Sequence, residues 1–112
     1  MNTDVIIIGA GAAGLMAACC AGEAGLNGLL LERRHRPGLK LLLCGNNRCN
    51  LSHDGTASSL KQDYGEPVGS FLEMALQECP PSVLRKWFSN CGLETTLLKE
   101  RIYPCSGKAD DV

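Results

Sequence analysis

From Asp4 to Gly9 the chain reads DVIIIG, an apolar, β-branched run with no polar alternation. That pattern predicts a strand buried on both faces of a parallel sheet. AAGLMAACCAGEAG follows, Ala-rich and helix-favouring, with Gly25 placed to cap the helix C-terminus. GLLLE is a second short apolar strand. The strand–helix–strand order predicts an α/β fold built on a right-handed βαβ unit. Between 33 and 63 no clean period stands out beyond LKLLL, after Pro37-Gly38. Val68, Phe71, Leu72, Ala75, Leu76 and Cys79 then recur at helical spacing, and Pro80-Pro81 breaks that helix. Val83, Leu84, Trp87, Phe88 and Cys91 form the apolar face of the next helix, which Gly92 ends. LETTLL and RIYP predict a short β-hairpin turning at Lys99-Glu100, and SGKADDV begins a further helix. Cys19, Cys20, Cys79 and Cys91 fall on apolar helix faces and are expected as small core residues.

Two parallel strands and a hairpin leave sheet edges and core faces uncovered. The 112 residues are therefore expected to be an incomplete domain, part of a longer protein. Net charge is −1 with 21% charged residues, so no global field draws in nucleic acid or a membrane surface. Seven cysteines are an odd number without repeated spacing, unlike a secreted disulfide scaffold. MNTD ahead of the first apolar run carries no Lys or Arg, unlike a signal peptide, and no stretch has the length of a membrane span. A reduced, cytoplasmic protein with a small-molecule substrate and no nucleic-acid or membrane partner is expected.

GAGAAG places Gly9, Gly11 and Gly14 in Gly-x-Gly-x-x-Gly register between a strand and a helix. The first glycine permits a tight turn, the second admits a pyrophosphate to the backbone, and the third lets helix and sheet pack closely. The N–H groups around Ala12 and Ala13, at the positive end of the helix, then face the phosphates. Glu32 closes the second strand, where a carboxylate accepts both hydroxyls of an adenosine ribose. It disfavours a 2′-phosphate, so FAD or NAD fits better than NADP, although Arg33 and Arg34 can offset that repulsion. Of the cations in RRHR and beyond, Lys40 and Arg48 are the better candidates for phosphate contacts.

The stretch RPGLKLLLCGNNRCNLSH (36–53) resembles the BaiN-like, aminoacetone-oxidase-like family of FAD-dependent oxidoreductases. That family carries Pro-Gly-Arg-Lys, a few apolar residues, then Ser/Thr-Gly-x-Gly-Arg-Cys-Asn-x-Thr/Ser-Asn. Pro37, Gly38, Lys40, Gly45, Arg48, Cys49, Asn50 and Ser52 keep the pattern. FLEMAL, WFSNCGLE and ERIYPCSGKADDV extend the resemblance over essentially the whole chain. It implies the N-terminal part (1–112) of a Rossmann-like FAD-binding domain, with Gly45, Arg48, Cys49 and Asn50 on the flavin side and NAD(P)H as a candidate electron donor. Leu39, Cys44, Asn47 and His53 depart from the pattern; Asn47 stands where the family has glycine, and Asn tolerates the left-handed backbone region better than other residues with a side chain.

Cys44 and Cys49, with four residues between them, also suggest an FAD-dependent disulfide reductase. The Ile-Pro-Ser/Thr-Lys-like run that follows the cysteines of those enzymes is missing, as is their preceding glycine pair. No second Cys/His pair stands at ligand spacing for zinc, so no metal is expected. No catalytic acid or base is assigned. A truncated, non-catalytic nucleotide-binding fragment is the remaining alternative.

Overall fold

The computed structural model describes residues 2–112, which form two units, up to Cys44 and from Gly45 to Val112. In the first, β1 (Val5–Ile8) and β2 (Gly28–Leu31) pair in parallel, Val5 opposite Gly28 and Ile8 opposite Leu31. Helix α1 (Ala12–Glu23) crosses between them and packs on both. Its end is a Schellman motif: Gly25, at φ +75°, donates to Gly22 O, and Leu26 N–H reaches Ala21 O. A five-residue helix α2 (Leu39–Leu43) follows Gly38. The expected βαβ order is present. Burial on both faces of β1 is not, because Ile6 is 60% and Ile8 86% exposed. Helix α1 packs on both strands, and Ile6 and Ile8 stand exposed.

The second unit is organised on β5 (Arg101–Pro104), the middle strand of a three-stranded antiparallel sheet. β4 (Thr95–Leu98) flanks it through the expected hairpin. β3 (Ser52–His53) flanks it on the other side and was not legible in the sequence. Ile102, Tyr103 and Pro104 are buried there, with Leu60, Phe88 and Ala109 also in the core. Helices α4 (Val68–Glu78) and α5 (Pro81–Asn90) match the periodicity, and Gly92 closes α5 with a second Schellman motif. Helix α3 (Ala57–Tyr64) went unread despite its capping box, in which Thr56 and Ser59 satisfy each other's backbone N–H. α3 packs on α4, with Lys61 Nζ 2.9 Å from Glu73 Oε2. The chain closes on a short 3-10 helix, Ala109–Asp111.

One core expectation is corrected: Cys19, Cys20, Cys79 and Cys91 are all exposed. Phe71, on the apolar face of α4, is 86% exposed. Helical spacing identifies an apolar face but not whether another element covers it.

Candidate functional site

The glycine loop of the first unit is fixed by the strands it joins. Gly9, at φ +94°, makes the turn and donates to Leu31 O at 2.7 Å. A β-carbon on Gly14 would lie 1.8 Å from Gly9 O, so the helix can sit this close to the strand end only without one. A β-carbon on Gly11 would meet nothing within 4 Å, which leaves open space beside the loop backbone. Leu15 N–H to Gly11 O is the first rung of the α1 ladder. The N–H groups of Gly11, Ala12, Ala13 and Gly14 precede it, and no side chain caps them.

Glu32 is bound into this loop. Its Oε2 accepts the N–H of Ala10 at 2.8 Å and its Oε1 accepts that of Arg34 at 2.8 Å. Those bonds, Arg34 first and Ala10 second, hold the carboxyl below the ordinary glutamate range. Ala10 is 2% exposed, and its carbonyl accepts from Gly38 N–H. Arg33 N–H also bonds this carboxylate, and a carboxylate offers about four acceptor sites, so capacity remains for a ligand hydroxyl with the loop contacts kept. Arg33 and Lys40 are exposed in the same unit. Cys44 donates from Sγ to Leu41 O at 3.2 Å.

In the second unit Gly45, Asn46 and Asn47 run consecutively through the left-handed region, at φ +58°, +55° and +63°. Gly and Asn are the residues that visit this region at least cost. Gly45 is also crowded, since a β-carbon would lie 2.9 Å from Asn50 N and 3.0 Å from the Tyr103 ring. Asn47 O accepts from Ala109 N–H. Arg48 lies over the Tyr103 ring, its guanidinium carbon 4.8 Å from the centroid. Cys49 is fully buried at φ +58°, and Asn50 is exposed. The Arg-Cys-Asn segment is thus held in an unusual backbone shape.

This combination of a glycine loop on a βαβ unit and a constrained Arg-Cys-Asn turn is matched by a family model, the HI0933-like protein Rossmann domain, over residues 3–112. The chain belongs to the HI0933-like Rossmann-domain family. That is the FAD-binding Rossmann domain of a flavin-dependent oxidoreductase family, in agreement with the resemblance drawn from residues 36–53. The HI0933-like chain is 48% identical over 82 residues to the ribosomal RNA dihydrouridine synthase of Escherichia coli (strain K12), covering 73% of this chain and 18% of that protein. It is 34% identical over 110 residues to the 3-dehydro-bile acid delta(4,6)-reductase of Clostridium scindens, covering 95% of this chain and 26% of that protein. The chain therefore spans about a fifth to a quarter of the length of these curated relatives.

FAD fits the HI0933-like first unit on its own geometry. The open space at Gly11, the uncapped N–H groups and the spare acceptor capacity of Glu32 suit a dinucleotide. A second cleft, of about 620 Å³, lies within the Gly45–Val112 unit and is lined by residues that include Asn50, His53, Asp63 and Tyr64. Of these only Asn50 had been named as a cofactor contact, and His53 only as a departure from the family pattern. Asp63 and Tyr64 come from α3, whose polar sequence gave no apolar period to read. Among the described residues no three His, Cys, Asp or Glu side chains gather to hold a metal ion, and no helix is long and apolar enough to cross a membrane.

Proposed function

We propose that this chain is the N-terminal, FAD-holding part of a longer flavin-dependent reductase that saturates a carbon–carbon double bond conjugated to a carbonyl. The observation that carries the cofactor assignment is the Glu32 carboxylate, anchored on the N–H groups of Ala10 and Arg34 beside the glycine loop. Gly9, Gly11, Ala12, Ala13 and Gly14 present backbone to the pyrophosphate, while Glu32 takes the ribose hydroxyls. Arg33 and Lys40 add positive charge toward the phosphates. Gly45, Cys49 and Asn50 are assigned to the flavin side by the family pattern. FAD, when bound, supplies the hydride-transfer chemistry, and the protein supplies position and field. NAD(P)H is the proposed electron donor.

Two relatives support the reaction class through their names. One makes dihydrouridine, which is uridine with its ring double bond saturated, and the other is a delta(4,6)-reductase. The higher identity to the first favours a uracil base in RNA as substrate. A small-molecule enone is the second reading, supported by the bile-acid enzyme and by the near-neutral charge. An assay offering reduced flavin with either RNA or an enone steroid separates the two by which double bond is lost. A disulfide reductase is disfavoured because Cys49 has no accessible surface for thiol exchange. Seven thiols with no disulfide among the described residues support a cytoplasmic setting.

Glu32→Ala tests the cofactor assignment. Two charge-assisted hydrogen bonds worth roughly 1.5–3 kcal/mol each are lost, so a flavin-fluorescence titration should show FAD binding weakened at least about tenfold. Unchanged affinity would reduce Glu32 to a structural tie for the loop.

A further inference from the structure

Three cations line one cleft of about 320 Å³ within the Gly45–Val112 unit: Arg48, Lys99 and Arg101, with Leu98 and Tyr103 completing the wall. Arg48 is set in advance. Its Nε donates to Gly45 O at 3.3 Å and its guanidinium lies on the Tyr103 ring. The terminal amino groups of that fork keep their donors for a ligand. None of the three cations is paired with a carboxylate among the described residues. Glu100, which stands between two of them in the sequence, instead approaches His53 Nε2 at 3.8 Å. Uncompensated like charges around one cavity attract an anion.

A second observation comes from the backbone. Leu98 pairs with Arg101, so Lys99 and Glu100 are the two central residues of the hairpin turn, at φ +48° and +63°. A two-residue turn with both φ positive favours Asn-Gly, and Lys-Glu is a strained occupant. The chain tolerates that strain at the residue whose side chain lines the cleft.

We infer that Arg48, Lys99 and Arg101 form a phosphate subsite for the backbone of a polynucleotide substrate, separate from the pyrophosphate cradle at the glycine loop. Arg48 offers the planar fork that matches phosphate oxygens, and Lys99 and Arg101 supply the remaining charge. Tyr103 is 5% exposed, so it supports Arg48 rather than stacking on a base. The subsite rests on the reading of RNA as substrate. It also assigns the hairpin tip, which that reading leaves unused.

The test replaces Lys99-Glu100 with Asn-Gly, which keeps the net charge and relaxes the turn, and separately makes Arg101→Ala. Binding of labelled single-stranded RNA, NADP⁺ and FAD is measured for each, beside thermal midpoints. Lys99→Asn with Glu100→Gly should melt higher yet bind RNA roughly tenfold more weakly, about the worth of one charge-assisted contact. Its slope of log affinity against log salt should fall by about 0.7, one phosphate contact fewer. Arg101→Ala should weaken RNA binding in the same way, with FAD affinity unchanged in both variants. Loss confined to NADP⁺ or to FAD, or no loss for any ligand, would overturn it. A parent that does not bind RNA would sink the reading of RNA as substrate, whereas a parent that binds RNA no better than its variants would sink the subsite alone, so the two failures are distinguishable.

Discussion

The two units reach order by different means. Between residues 2 and 44 only Ala10 is buried, and the shape comes from backbone hydrogen bonds, one carboxylate and a glycine that admits close contact. From Gly45 onward a side-chain core gathers on β5, where Ile102 is 1% exposed. The first unit leaves the polar backbone of its glycine loop open, and the second holds apolar side chains away from water.

The contrast is tested most severely in the cores. Ile102→Ala should cost about 2–5 kcal/mol by denaturant unfolding, the usual range for a buried isoleucine. Ile8→Ala, at an 86% exposed position, should stay within about 0.5 kcal/mol. Equal losses would erase the distinction between the units.

Two glycines of one loop sharpen it further. Gly14→Ala forces a β-carbon onto Gly9 O, and such overpacking should remove about 1–3 kcal/mol of stability along with FAD binding. Gly11→Ala meets open space, so the melting curve should barely move while FAD affinity falls. If both variants melt like the parent, the loop is slacker than its geometry indicates.

Smaller effects are expected at Cys44 and Glu32. Cys44→Ser keeps a donor to Leu41 O and should leave FAD binding intact or improved, with no long-wavelength thiolate–flavin band lost in an anaerobic reductive titration. The Glu32 carboxyl, lowered by the N–H groups of Arg34 and Ala10, favours the folded state above the ordinary glutamate range. That contribution should fade as pH falls through its depressed value. A ¹³C-carboxyl titration that places Glu32 at or above the other glutamates would contradict the loop contacts.

Much of the fold was legible because its signals are local. A β-branched run, a glycine after α1 and after α5, and a proline pair after α4 mark β1, α1, α4 and α5 from neighbouring residues alone. β3 escaped because two residues carry no period; it is a strand through its register with β5. The exposure of four cysteines escaped because burial depends on what lies across from a face. Of the candidate site, the glycine register and Glu32 were readable from spacing. The tie from Glu32 to Ala10 was not, since it joins positions 22 apart in the chain. Arg48 was singled out, but Lys99 and Arg101 were read only as parts of the hairpin, and it is the fold that places all three on one cleft.

The hold of Glu32 on Ala10 has a kinetic consequence. The acceptor proposed for the ribose stands in position before any nucleotide arrives, so little ordering is left for the encounter to impose. Association through this end should then follow a single phase whose rate rises linearly with nucleotide concentration. Freeing the carboxylate from the loop would introduce a slow, concentration-independent step, in which the acid must first find its place.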